Sequence, residues 1–160
     1  MKNRVAALLL LAVGVLTGLG WTEDSWAQAG VSRVGILTFF PFTADPTQGL
    51  WFEPFRRTLA HEGWIEGKKV SFEFRSANGD PSQFGEAATQ LAGLKVDVIL
   101  AVGAPAVRAA YAATRTIPIV ANDFTTDPVA EGYVESYIRP GGNLTGVFLD
   151  APEFAGKWLE

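Results

Sequence analysis

Residues 96–106, V-D-V-I-L-A-V-G-A-P-A, constrain the fold more than any other stretch of this chain. From Val96 to Val102 the run is almost continuously apolar and largely β-branched, the pattern of a strand covered on both faces in a parallel sheet. Gly103 ends the run. Pro105 falls where the first turn of a helix would begin, a position that suits its missing N–H and fixed φ. Strand, tight turn and helix therefore follow one another directly. Free N–H groups are then left at a helix N-terminus, just beyond the carboxyl end of a buried strand, where open α/β sheets bind small ligands. No catalytic side chain appears at that edge, so the reading leans away from an enzyme.

The rest of the chain supplies the neighbours such a strand requires. Residues 34–40 (V-G-I-L-T-F-F) read as a first buried strand, followed at 41–49 by a loop rich in Pro, Thr and Asp. A helix is expected over about 50–62, with Trp51, Phe55 and Leu59 on one face and Gly63 as its terminator. Residues 70–75 (V-S-F-E-F-R) alternate apolar and polar, as a half-exposed or edge strand does. Asp80 can cap the next helix, with Pro81 at its first position and Gln83 three residues after the cap. Phe84, Ala87, Ala88, Leu91 and Leu94 mark the buried stripe of that helix. After the central strand comes a small-residue helix over about 105–113, with Val107 and Tyr111 as its larger inward candidates. Residues 117–121 (I-P-I-V-A) form a fourth strand, with Pro118 at its start because proline cannot donate to a ladder. Asp127 and Pro128 repeat the cap-and-proline device and predict a fourth helix running to about Ile138. A fifth strand is expected at 144–149, and a further helix begins near 153.

Strands and helices alternating in this way predict an α/β class: a doubly wound, mainly parallel five-stranded sheet with right-handed crossovers. Analogy with such folds gives the strand order 2-1-3-4-5.

Residues 1–29 stand apart from that domain. Lys2 and Arg4 make a positive start, an apolar run covers 5–19, and Ala27-Gln28-Ala29 offers the small residues a signal peptidase needs. The run of about 15 residues is short of the ~20 that span a bilayer. Export with cleavage after Ala27 or Ala29 is the expectation, and no cysteine is present to carry a lipid anchor. The chain that follows is expected to form one domain over 30–150. Without cysteine, its stability must come from packing. A net charge of −4 with no basic patch argues against nucleic acid as a partner. The lone histidine, His61, excludes a His-rich metal site and falls where a helix end suits it structurally. Neither a metal nor a cofactor is expected.

Enzyme signatures are absent. No G-x-G-x-x-G follows the first strand, and no P-loop, H-E-x-x-H or G-x-S-x-G occurs. What remains is a set of loops that the fold would gather at the carboxyl ends of the strands. They carry Thr38, Phe39 and Phe40; then Gly103, Ala104 and Pro105; then Asn122, Asp123, Phe124 and Thr125. Hydroxyls, an amide, an acid, a helix N-terminus and aromatic rings together suit a small amphiphilic ligand. A carboxylate would be favoured at the helix starting near Pro105. Asp123 reads either as a solvated loop acid or as the partner of a ligand amine. Phe39 and Phe40 serve either the ligand or the core, and Asp127 reads as a helix cap.

Several of these stretches resemble a known family. The runs at 61–75 (H-E-G-W-I-E-G-K-K-V-S-F-E-F-R), 97–106, 117–120, 126–134 (T-D-P-V-A-E-G-Y-V) and 139–147 (R-P-G-G-N-L-T-G-V) occur in the order found in ABC-transporter substrate-binding proteins of the tryptophan/tyrosine-binding type. The likeness extends over nearly all of 31–160. It implies a type I periplasmic-binding-protein fold whose two lobes close on a ligand, such as an aromatic amino acid, for delivery to an ABC permease in the inner membrane. By the same resemblance the ligand touches the loops after Phe40, Val102 and Ala121. Thr126 stands where the family usually has glycine before Asp127-Pro128, and the loop at 39–42 is bulkier than the usual one.

The family also carries a second α/β lobe of similar size. The resemblance implies that this chain holds the N-terminal lobe and, at 151–160, only the start of the second, so that it is a piece of a longer periplasmic protein. A natural single-lobe protein that dimerises to restore the cleft is the alternative. A lone lobe is expected to bind weakly or not at all, since affinity comes from burial between closing halves. Other functional classes that the same domain could serve are an extracytoplasmic sensing domain and a flavodoxin-like or Rossmann-like enzyme.

Overall fold

The computed structural model describes residues 30–41 and 50–148. The expected leader at 1–29, most of the loop at 41–49 and the helix expected from 153 lie outside the described residues. The described residues form five strands: β1 (Ser32–Thr38), β2 (Val70–Ser76), β3 (Val98–Val102), β4 (Ile119–Asp123) and β5 (Leu144–Phe148). Between them run α1 (Phe52–His61), α2 (Phe84–Gly93) and α3 (Ala104–Ala113), with a 3₁₀ turn at Pro81–Gln83 leading into α2. All neighbouring strands pair in parallel, in the order β2-β1-β3-β4-β5. Class and order are those expected from the sequence, and β2 is an edge strand as its alternation suggested. Among the described residues no helix is long and apolar enough to cross a membrane.

Parallel pairing explains the composition of the central strands, because a crossover helix must lie on each face. Ile36 and Leu37 of β1, Ile99 and Ala101 of β3, and Ile119 and Ala121 of β4 are all buried. The main core lies between this sheet and the stripe expected on α2: Phe84, Ala87, Ala88 and Leu91 are buried, with Leu94 packed against them. Val107 of α3 is fully buried between Ala106 and Ala110, small residues that let that helix approach closely. Gly35 marks the tightest approach. A methyl group there would come within 3.1 Å of both Leu91 and Val96, so β1 sits directly under α2.

The expected cap at Asp80 is present. Its Oδ1 accepts from the Ser82 N–H at 2.9 Å, and this bond, above all, holds its carboxyl below the usual range. On α1 the expected face is shifted by one residue. Phe52, not Trp51, is buried, with its ring about 5 Å from Phe72 and Phe74, while Trp51 precedes the helix and is exposed. Phe55 and Leu59 are half-buried, so the inward stripe runs 52, 55, 59 at three- and four-residue spacing.

The fourth helix, expected over 127–138, does not form. Asp127 does cap a turn there: its Oδ1 accepts from the Val129 and Ala130 N–H groups and from the Tyr137 hydroxyl, and these bonds lower its pKa. After one turn Gly132 takes φ +70°. The Tyr133 N–H then donates back to the Pro128 carbonyl and the Gly132 N–H to the Val129 carbonyl. That pair of bonds is a helix-ending Schellman motif with glycine at its left-handed position. Start signals were present, but a stop followed immediately. Strand boundaries also move: β1 covers Ser32–Thr38 rather than 34–40, and β4 covers Ile119–Asp123 rather than 117–121, taking in Asn122 and Asp123, which were expected in a loop.

Candidate ligand-binding site

Register decides what meets at the carboxyl edge. Leu37 lies beside Ala101, Ala101 beside Ala121, and Val102 beside Asn122. Thr38, Val102 and Asn122 therefore lie at one level at or next to the ends of their strands, with Thr38 about 10 Å from Asn122 at ~4.8 Å per strand. The three loops chosen from the sequence do converge on one edge of the sheet.

Gly103 makes the turn between β3 and α3. Its φ of +89° and ψ of +155° lie in a region open almost only to glycine. Its N–H donates to the Asn122 carbonyl at 2.9 Å, tying the end of β3 to the end of β4, and its carbonyl accepts from the Val107 N–H. The next amides, of Ala104 and Ala106, have no acceptor within the helix, and Pro105 has no N–H at all. The positive end of α3 is thus presented at the edge beside β4.

Asp123 differs from its expected place. As the last residue of β4 it is 1% exposed, so the solvated-acid reading does not hold. Alternation along β4 puts it on the same face as Ile119 and Ala121, the face on which α3 packs. Its Oδ1 accepts from the Thr125 N–H at 2.9 Å and from the Thr125 hydroxyl at 3.1 Å. Its Oδ2 is buried and, among the described residues, has no hydrogen-bond partner. Thr125 is thereby committed to holding the turn that carries Phe124.

The other candidates divide by burial. Thr38 turns its hydroxyl into its own loop, donating to the Phe40 carbonyl at 2.7 Å. Phe39 packs on the core, with its ring 6.1 Å from that of Phe84, which favours the structural reading of this residue. Phe40 and Phe124 are 60% and 46% exposed and stand as apolar walls at the edge. The N–H of Ala77 donates to the Thr38 carbonyl and that of Gly79 to the Phe39 carbonyl, so the loop after β2 braces the loop after β1.

Among the described residues the structure has cavities that the sequence does not predict, two of them beside the sheet. A polar one of about 300 Å³ lies between the end of β2 and the start of α2, lined by Arg75, Ser76, Asn78, Gln83 and Glu86 among others. An apolar one of about 320 Å³ lies on the α1 side of the sheet, between Phe55, Leu59 and Trp64 and the side chains of Val34, Val98 and Leu100. The unbroken apolar run of β3 was the only sequence signal for the second, since it implied a strand covered on both faces. Among the described residues no group of three or more His, Cys, Asp or Glu could hold a metal ion.

Comparison with known proteins agrees with this architecture. Residues 42–155 match the family model described as ABC transporter substrate binding protein. The tyrosine-binding protein of Clostridioides difficile (strain R20291) is 36% identical over 153 residues, which cover 91% of this chain and 44% of that protein. A conserved domain protein of Vibrio cholerae superposes with a TM-score of 0.68 at 28% identity, over 81% of this chain and 43% of its own. A Streptococcus pneumoniae ABC domain in complex with L-Trp superposes with a TM-score of 0.62 at 28% identity, over 74% of this chain and 38% of its own. This chain thus spans less than half the length of each of these relatives. With a family match over most of its residues and the parallel sheet of a type I periplasmic-binding lobe, the chain belongs to the ABC transporter substrate binding proteins.

Proposed function

We propose that this chain is the N-terminal lobe of the solute-binding component of an ABC importer. Residues 1–29 direct its export and are cleaved, 30–150 form the lobe, and 151–160 lead into a second lobe that completes the cleft. The protein works outside the inner membrane, captures a small amphiphilic ligand such as an aromatic amino acid, and passes it to a permease without altering it. One observation carries this reading: the Gly103 turn sets the free first-turn amides of α3 beside the end of β4, at an edge bordered by Phe40 and Phe124. That edge offers anion-binding donors with apolar cover, as a ring-bearing carboxylate ligand requires. The relatives named for tyrosine and solved with L-Trp support the choice of ligand class.

Isothermal titration calorimetry on the intact native gene product tests the proposal. L-Tyrosine or L-tryptophan should bind saturably at one site per molecule. Absence of binding by both would overturn the assignment of ligand class.

A further inference from the structure

Two acids on this lobe differ in both setting and bonding. Asp127 caps an exposed turn, and its Oδ1 alone accepts from two backbone amides and a tyrosine hydroxyl. Asp123 is almost completely buried, yet among the described residues only one of its oxygens has a partner. Among the described residues no lysine, arginine or histidine forms an ion pair with it. A buried acceptor left without a donor is costly, so such an atom in a folded protein calls for an explanation.

Its position supplies one. Asp123 ends β4 on the face that carries α3, and the adjoining Gly103 turn presents amides that favour an anion. One edge therefore holds donors for a negative group and a buried acceptor for a positive one. An α-amino acid carries both charges on a single carbon. We infer that Asp123 Oδ2 accepts from the ammonium group of the ligand, so that this residue makes the site select amino acids over aromatic acids lacking the amine. The inference rests on the proposed function and goes further, because an anion-binding edge with apolar walls would not by itself require an amine.

The test compares L-tryptophan with indole-3-propionate, which keeps the ring and carboxylate and lacks the amine. Both are titrated calorimetrically into the intact native gene product and into its Asp123→Asn variant. Asparagine retains an Oδ1 acceptor for Thr125 while removing the charge. Wild-type protein should bind L-tryptophan at least ~10-fold more tightly than indole-3-propionate, as expected for a charge-assisted bond in a buried site. Asp123→Asn should weaken L-tryptophan by ~10- to 100-fold and leave indole-3-propionate within about 2-fold of wild type. Equal wild-type affinity for the two compounds would overturn the inference, and that comparison stands even if the variant does not fold. Parallel weakening of both compounds in the variant would also overturn it, by showing Asp123 to be a support for the loop. Binding of neither compound would overturn the proposed ligand class and this inference with it, an outcome distinct from the other two.

Discussion

Gly146→Val detaches β5 from the sheet and destabilises the lobe by about 3 kcal/mol, at the upper end of what overpacking costs. Gly146 lies beside Ala121 in the β4–β5 pairing. A Cβ at this position would come within 2.1 Å of the Ala121 carbonyl oxygen and 2.7 Å of its amide nitrogen. Both are backbone atoms of a central strand, so no side-chain rotation relieves the clash and the strands must separate. The consequence reaches the candidate site, because Ala121 is two residues from Asp123 and Phe148 pairs with Asp123 at the strand end. Chemical denaturation should show a lowered midpoint, and ligand binding should fall with it. A midpoint unchanged from wild type would mean that β5 is not held against β4 as described.

Leu91→Ala should cost about 3 kcal/mol, within the ~2–5 kcal/mol found for emptying a leucine site in a core. Leu91 is fully buried on α2, and its Cδ atoms fill the space that the absent side chain of Gly35 leaves over β1. In thermal unfolding the loss corresponds to a fall on the order of 10 °C for a domain of this size. The same contact predicts non-additivity. Gly35→Ala alone should destabilise, since its methyl group would press on Leu91 and Val96 at 3.1 Å. Combined with Leu91→Ala it should cost less than the sum, because the cavity accepts the methyl group. Strict additivity would contradict the packing.

Much of this architecture could be read from local pattern. The run at 96–106 specified a buried strand, a glycine turn and a proline-started helix, and β3, Gly103 and α3 follow that reading. Asp80-Pro81 and Asp127-Pro128 carried the same start signals, yet only the first led into a helix. The difference lies downstream. The first is followed by Phe84, Ala87, Ala88 and Leu91, an apolar stripe that the sheet can bury, whereas the second meets Gly132 within one turn. Helix formation depends more on a buried face than on a cap.

Asp123 falls in the stretch 122–126, which reads from the sequence as a polar loop. Period-two alternation through Ile119 and Ala121 would have carried the strand on to it and put it on the buried face. Its unpartnered oxygen depends on which groups the tertiary fold brings near, and no local pattern encodes that. The requirement for glycine at 146 was legible in principle, since an isolated glycine in a strand often marks a close backbone approach.

Hydrogen–deuterium exchange of the intact native gene product, with and without saturating L-tryptophan, tests most directly whether the carboxyl edge is the binding wall. The account predicts that ligand slows exchange in peptides spanning 102–107 and 121–126, which carry the α3 amides and the end of β4, and leaves 55–65 unchanged. Slowed exchange confined to 55–65, beside the apolar cavity on the α1 side, would contradict it and move the ligand to the opposite face of the sheet.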